Sequence, residues 1–298
     1  MLENLPEYLI EKLRSEYDEE TFNKIIEGYS IKRKTTFRIN TLKTTVEDVE
    51  NKLKEMNIKY SKPKFSNEAI ILDEMTEVDL EKLDMYNDGE IYVQSLSSML
   101  PPIVLEPQEG NDILDMAAAP GGKTTQIAAL TNNKAHITAC EMNNIRMEKL
   151  KYNLEKQGAK SVFVMQKDSR LIDDFFKFNQ ILLDAPCTGT GTITKNDKVQ
   201  LTPKFLEKIS KRQIDLLNKS INILKPGSTV VYSTCSILKE ENEMNIQKLL
   251  QSRKVELLDL DFEGIDELPK LPVSLEKTLC VCPTDLFEGF FVAKIKKL

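Results

Sequence analysis

The sequence predicts an α/β protein in which a mostly parallel sheet is covered by helices on both faces and preceded by a small α+β module. Three observations carry this prediction. From Gly89 onward, short apolar runs alternate with segments of helical period, the pattern of strand–helix–strand units. A glycine-containing turn, DMAAAPGGKTT (115–125), follows the first of these runs and opens a helix. Before residue 89, strand and helix signals mix without that alternation. The boundary is placed after the acidic stretch DEMTEVDLEKLDMYNDGE, giving units 1–88 and 89–298.

Taken in order, Leu9, Ile10 and Leu13, then Phe22, Ile25 and Ile26, mark two short helices broken near Asp18 and ended by Gly28. In TTFRINTL (35–42), Phe37, Ile39 and Thr41 alternate with Thr36, Arg38 and Asn40, which predicts a half-buried strand. Thr44 and Thr45 cap a helix with Glu47 and Asp48 three residues on, and AIIL (69–72) is another strand. In the second unit the strands are DILDM (112–116), AHITAC (135–140), SVFVMQ (161–166), QILLD (180–184), STVVYS (228–233), VELLDL (255–260) and FFVAKI (290–295). Helices cover 144–156, 203–224 and 239–250, the second with Thr202 as cap and Pro203 at its first position.

Composition narrows the chemistry. The 298 residues carry 41 Lys and Arg against 47 Asp and Glu, a net charge of −6, which argues against a uniformly basic nucleic-acid binder. The charge is uneven: residues 31–64 hold ten basic and four acidic residues and 195–225 hold eight and three, while 65–90 hold one and nine. The single histidine, His136, lies mid-strand, which excludes Ser/His/Asp triads and His-based metal sites. Five cysteines without a CxxC pair indicate a reducing compartment, and Cys280 and Cys282 are too few for a zinc site. With no apolar membrane span and no signal-like N-terminus, the expected compartment is the cytoplasm.

The candidate site gathers at strand ends, where open α/β sheets bind ligands. In the turn at 115–125, small residues let a ligand approach the backbone, and helix-start N–H groups suit a polar group. The phosphate-loop pattern fails because its first glycine falls on Ala117, and the dinucleotide fingerprint is absent. Glu141, about 20 residues after the glycines, suits ribose hydroxyls, and Asp168 ends the third strand. Together these describe a site for a nucleoside-bearing cofactor. DAPCTGTGT (184–192) and YSTCS (232–236) end the next two strands, bringing Asp184, Cys187 and Cys235 to one crevice.

DMAAAPGGKTT, the ACE at 139–141, LLDAPCTGTGTI, VYSTCS followed by EENE (240–243), and GFFVAKI together resemble the Sun/Fmu-type RNA cytosine-5 methyltransferases, in particular compact stand-alone archaeal tRNA enzymes. TTFRINTLK and YVQSLSSMLPP are similar to the family's pre-catalytic segments. The resemblance implies a Rossmann-like class I S-adenosylmethionine-dependent sheet with the small N-terminal module binding RNA. It implies methylation of cytosine C5 in RNA, tRNA before rRNA, with a non-catalytic RNA-binding or assembly factor on the same fold as the alternative. By resemblance, Cys235 is the nucleophile, Cys187 assists product release, Asp184 contacts the cytosine, and Lys123 lines the same site. Ala117, Ala118, Ala119, Pro120, Gly121, Gly122, Lys123, Glu141, Asp168 and Asp184, with Arg146, would hold S-adenosylmethionine, and no metal or membrane is implied. The chain departs from the family pattern at TITKNDKVQL (192–201), where many members have paired Arg residues and a Trp, and at Glu288, where Asp is usual. The basic blocks, Lys32, Arg33, Lys34, Arg38 and Lys43, then Lys195, Lys198, Lys204, Lys208, Lys211 and Arg212, are expected to hold RNA phosphates beside the crevice.

Overall fold

The computed structural model describes residues 2–298. In chain order its first part contains α1 (Glu7–Glu16), α2 (Glu19–Ser30), β1 (Thr36–Ile39), α3 (Val46–Glu55), β2 (Tyr60–Ser61), β3 (Ala69–Leu72), α4 (Glu77–Leu80), α5 (Asp84–Asn87) and β4 (Ile91–Val93). The second part contains α6 (Leu96–Leu105), β5 (Asp112–Asp115), α7 (Gly122–Leu130), β6 (His136–Cys140), α8 (Asn144–Lys156), β7 (Val162–Met165), β8 (Phe178–Asp184), α9 (Pro203–Ile223), β9 (Leu224–Thr234), α10 (Glu243–Ser252), β10 (Val255–Leu258), β11 (Thr278–Val281) and β12 (Phe290–Lys297).

The large sheet runs β10-β12-β9-β8-β5-β6-β7, with β11 also paired to β12. Neighbours from β9 through β7 are parallel, and β12 is antiparallel to β9, β10 and β11. The direction of chain progression reverses between β5 and β8, so a crevice opens at their carboxyl ends, where Asp115 and Asp184 sit. On one face of the sheet, Leu114, Ile181 and Tyr232 pack with Leu9, Leu13, Phe22, Ile25 and Tyr29 of α1 and α2. These two helices therefore belong to the core of the large sheet. The opposite face packs against α6, α7 and α8.

The small sheet is antiparallel in the order β2-β3-β1-β4. The sequence pattern assigns Ile91–Val93 to the second unit, but these residues pair with β1 as the edge of the small sheet. Alternation predicts a half-buried β1, yet all four of its residues are buried. Phe37 and Ile39 point into the small module's own core with Val49 and Leu53. On the other side the strand faces the large domain, where the buried Arg38 donates from Nε to Gln94 Oε1 at 3.1 Å and from Nη2 to Thr125 Oγ1 at 3.0 Å.

α6 has no counterpart among the helices read from sequence because Pro101 and Pro102 lie inside it, and proline removes a donor from a helix interior. The Ser98 carbonyl, which Pro102 leaves without a helical donor, is bonded from outside the helix by Gln94 Nε2 at 3.1 Å, and Gln126 Nε2 adds a second outside bond to the Met99 carbonyl at 2.9 Å. The helix expected at 239–250 starts later, at Glu243, because the Asn242 side chain donates back to the Ser236 carbonyl at 2.9 Å and accepts from Thr234 Oγ1 at 2.6 Å.

Candidate active site

Two cavities meet at Ala117. The first, about 550 Å³, is lined by Arg33, Tyr92, Ser98, Ala117–Pro120, Gly122, Lys123, Asp184, Cys235, Glu288 and Phe290. The second, about 370 Å³, is lined by Ala117, Cys140, Glu141, Arg146, Asp168, Pro186 and Arg212. The expected cofactor set thus divides between them. Ala117, Glu141, Arg146 and Asp168 face the second cavity, whereas Ala118, Ala119, Pro120, Gly122, Lys123 and Asp184 line the first beside Cys235. Gly121 lines neither: it caps α7 at φ +113°, a backbone conformation that glycine adopts without strain. Gly122 is needed for space, since a Cβ there would lie 2.9 Å from the Tyr92 ring.

β8 and β9 are adjacent and parallel, with Asp184 in register with Ser233. The turns leaving them bring Cys187 Sγ and Cys235 Sγ within 2.9 Å, and both cysteines are free. Cys235 opens onto the first cavity, while Cys187 lines neither and lies behind it. The hydrogen bond with Cys235, then burial, then the charges of Cys235 and Glu241, push the Cys187 thiol well above its usual range.

Lys123 reaches back from α7 to the same place. Its ammonium lies 2.8 Å from Asp184 Oδ2, donates to Ser98 Oγ at 2.8 Å, and sits 5.5 Å from the Phe290 ring centre. Burial works against the lysine charge, but the neighbouring Asp184 carboxylate outweighs it, and the lysine pKa is raised. Asp184 is fixed from the other side by Ser233 Oγ, which donates to Oδ1 at 2.7 Å. Asp115, one strand away, is buried; burial drives its pKa up to about 6, although Thr124 Oγ1 and the Ala117 N–H donate to it.

At the second cavity, Glu141 is buried, accepts from the Asn143 N–H at 2.8 Å and faces Arg146 Nη1 at 3.5 Å. Arg146 Nη2 also donates to the Ala119 carbonyl at 2.7 Å, joining α8 to the glycine turn. Arg170 donates to Asp168 and holds that carboxyl below the usual range.

Of the first basic block, Arg38 needs correction: it is buried between the sheets and cannot meet phosphates. Arg33, which clamps the Thr192 and Ile193 carbonyls, each at 3.2 Å, and Lys34, paired with Asp73 at 3.0 Å, line the first cavity, and Lys32 and Lys43 are exposed. Arg212, grouped by sequence with the RNA-facing residues, lines the second cavity instead, with Nε buried and lacking a hydrogen-bond partner. Lys195, Lys198, Lys204, Lys208 and Lys211 are exposed, as expected. Ser98, Ser233 and Phe290, the partners of the Lys123–Asp184 pair, are absent from the residues that the sequence singled out. All three lie within the family-like motifs, but nothing in those motifs gives their direction.

A sheet that reverses at β5/β8, with a glycine turn after β5 and an acid after β6, is the class I S-adenosylmethionine-dependent methyltransferase fold. Residues 102–296 match the family model "16S rRNA methyltransferase RsmB/F", and residues 5–79 match the ferredoxin-like domain of RsmF/B-like methyltransferases. The chain belongs to this RsmB/F, or Sun, family of RNA cytosine-C5 methyltransferases. It is 37% identical over 221 residues to a tRNA (cytosine(72)-C(5))-methyltransferase of Pyrococcus horikoshii, covering 74% of this chain and 55% of the relative. It is 33% identical over 306 residues to a mouse 28S rRNA (cytosine-C(5))-methyltransferase, covering 98% of this chain and 38% of the relative. The chain thus spans about half the length, or less, of these curated relatives. Among solved structures, NSun6 from Pyrococcus horikoshii with SFG superposes with a TM-score of 0.89 at 25% identity over 100% of this chain and 99% of that one. A methyltransferase homologue from the same organism gives 0.82 at 31% identity over 99% of this chain and 100% of the other. Among the described residues no helix is long and apolar enough to cross a membrane.

Proposed function

We propose that this chain transfers a methyl group from S-adenosylmethionine to C5 of a cytosine in RNA through a covalent adduct between Cys235 and cytosine C6. The observation that carries the reading is the pair of free thiols 2.9 Å apart beside the Lys123–Asp184 ion pair, with Cys235 facing the larger cavity. Cytosine C5 is a poor nucleophile until a group adds at C6, and a thiolate makes that addition without a histidine. The Cys235 sulfur forms the bond to C6, and negative charge appears at N3 and O2. Lys123, kept protonated by Asp184, is the cation available to offset that charge, and Asp184 is placed to accept a hydrogen bond from the base. The target nucleotide leaves its stack to enter the cavity, at a cost of a few kcal/mol in paired RNA and less in a loop.

The second cavity suits the cofactor: it offers two carboxylates for ribose hydroxyls, the small-residue turn at Ala117, and the unpartnered Arg212 Nε for an acceptor-rich ligand. A relative solved with an S-adenosylmethionine analogue supports the use of this cofactor. When bound there, S-adenosylmethionine supplies the methyl group. After transfer, the C5 proton is lost to water, the C5=C6 bond re-forms, and the C6–S bond breaks with its electron pair returning to Cys235. Cys187, behind Cys235, assists that departure.

tRNA is the favoured substrate, on the archaeal tRNA relative; the rRNA-acting relatives carry the second reading. The test is bisulfite sequencing of tRNA and rRNA incubated with wild type, Cys235→Ala and Cys187→Ala. Wild type should methylate one RNA class at defined cytosines, and Cys235→Ala should reduce this to background. Cys187→Ala should retain a denaturation-resistant protein–RNA adduct. Undiminished methylation by the Cys235 variant would refute the mechanism.

A further inference from the structure

Glu241 is a fully buried carboxylate to which the proposed reaction gives no role, and among the described residues it forms no ion pair. All its side-chain partners are neutral donors. Oε1 accepts from the Thr188 N–H at 2.9 Å and from Gln213 Nε2 at 2.9 Å; Oε2 accepts from Thr188 Oγ1 at 2.5 Å and from Ser236 Oγ. Thr188 follows Cys187 and Ser236 follows Cys235, so one carboxylate bridges both cysteine-bearing turns. Gln213 extends the grip, donating also to the carbonyl of Pro186, the residue before Cys187, at 3.0 Å. Glu241 is itself fixed through its backbone carbonyl, which accepts from Tyr232 OH at 2.5 Å and Asn245 Nδ2 at 3.2 Å. Burying an ionised carboxylate is expensive unless its oxygens are saturated by donors, and this one takes four.

We propose, building on the reaction above, that Glu241 is a positioning residue of the two-cysteine centre: it ties the two turns together and keeps Cys187 a thiol that hydrogen-bonds to the sulfur of Cys235. The geometry makes this specific. Both turns are tethered to one group, so the distance between the sulfurs is set by the carboxylate. Its negative charge opposes ionisation of Cys187, in agreement with the raised pKa of that thiol. A thiol behind Cys235 can donate to the sulfur as its bond to C6 breaks, stabilising the departing thiolate. A second thiolate there would repel it.

The test compares wild type, Glu241→Gln, Thr188→Val, Cys187→Ala and the Cys187→Ala/Glu241→Gln double variant. The readouts are 5-methylcytidine formed per turnover, the fraction of RNA held in a denaturation-resistant adduct, and S-adenosylmethionine affinity by calorimetry. An amide in place of the carboxylate keeps one acceptor oxygen and turns an N–H toward former donors. With Glu241→Gln, turnover should therefore fall roughly 10- to 100-fold with adduct accumulating, while cofactor affinity stays within about twofold. Because Glu241 acts through Cys187, the double variant should release product no more than about twofold slower than Cys187→Ala alone. Multiplicative effects in the double variant, or normal release by Glu241→Gln, would overturn the proposal. If Glu241→Gln fails to fold, Thr188→Val decides: it should raise the adduct fraction in the wild-type background and leave it unchanged in Cys187→Ala, and any other pattern overturns the proposal. Methylation independent of Cys235 would sink the reaction itself, whereas Cys235-dependent methylation with normal release by these variants removes only the positioning role.

Discussion

Asp115 stands at the end of β5 with its carboxylate inside the protein, held by the Thr124 hydroxyl and the Ala117 N–H, and burial lifts its pKa to about 6. In an unfolded chain an Asp titrates near 3.9, so the folded protein holds this proton more tightly. The stability it contributes is therefore complete below about pH 4 and is lost as the pH rises through about 6, a change on the order of 3 kcal/mol. Asp115→Asn removes the titration while leaving an oxygen for the Ala117 N–H and a donor for Thr124 Oγ1. The variant should gain stability relative to wild type between about pH 4.5 and about pH 8. Urea midpoints at the two pH values check this, and an equal difference at both would contradict a raised Asp115 pKa. In the sequence Asp115 reads as one more strand-end acid, like Asp184. Both line the first cavity, and only the return of α7 over the end of β5, which brings Thr124 onto Asp115, buries one acid and leaves the other half-buried.

At the scale of elements, the turn carrying Cys187 is joined to the start of β12 by backbone contact. The Gly191 N–H donates to the Cys235 carbonyl at 2.9 Å, and the Gly289 N–H donates to the Gly191 carbonyl at 2.8 Å. A Cβ on Gly191 would lie 1.9 Å from the Gly289 carbonyl oxygen, so the two segments cannot stay in place around one. Gly191→Ala should cost about 2–4 kcal/mol and most of the activity, because the segments it separates include the Cys235 turn. At Gly227, with φ +75° and open space around it, alanine should cost only about 1–2 kcal/mol of backbone strain and leave methylation intact. Thermal unfolding and methylation assays of both variants make the comparison. Both glycine-bearing segments are visible in the sequence, but their approach joins residues far apart in the chain and has no local signal.

For the whole molecule, the net charge of −6 conceals an exposed row of lysines on and before α9. Lys204, Lys208 and Lys211 lie on the helix whose Gln213 holds the carbonyl of Pro186, the residue before Cys187. Reversing these three charges should weaken RNA binding and lower the slope of log affinity against log salt by roughly one for each phosphate no longer neutralised. Binding titrations at several salt concentrations test this; an unchanged slope would return the row to ordinary surface. Within the first basic block Arg38 behaves differently, because it is a structural bridge between the small sheet and Thr125 of α7. Substituting it should lower stability rather than salt-dependent binding.

The sequence by itself determined most of the strands, the order of the motifs, and the side chains whose chemistry fits a methyl transfer to cytosine. Those properties are local: apolar period, glycine at a tight turn, thiol after Asp-Ala-Pro, acid at a strand end. The tertiary structure decided what depends on packing between distant segments. It put both faces of β1 in contact with core, which buried Arg38. It moved β4 into the small sheet and α1 and α2 into the core of the large one, and it divided the expected cofactor residues between two cavities. It also gave Glu241, an unassigned letter in EENE, a place between the two cysteines, because a buried charge is satisfied only where several chain segments converge with donors.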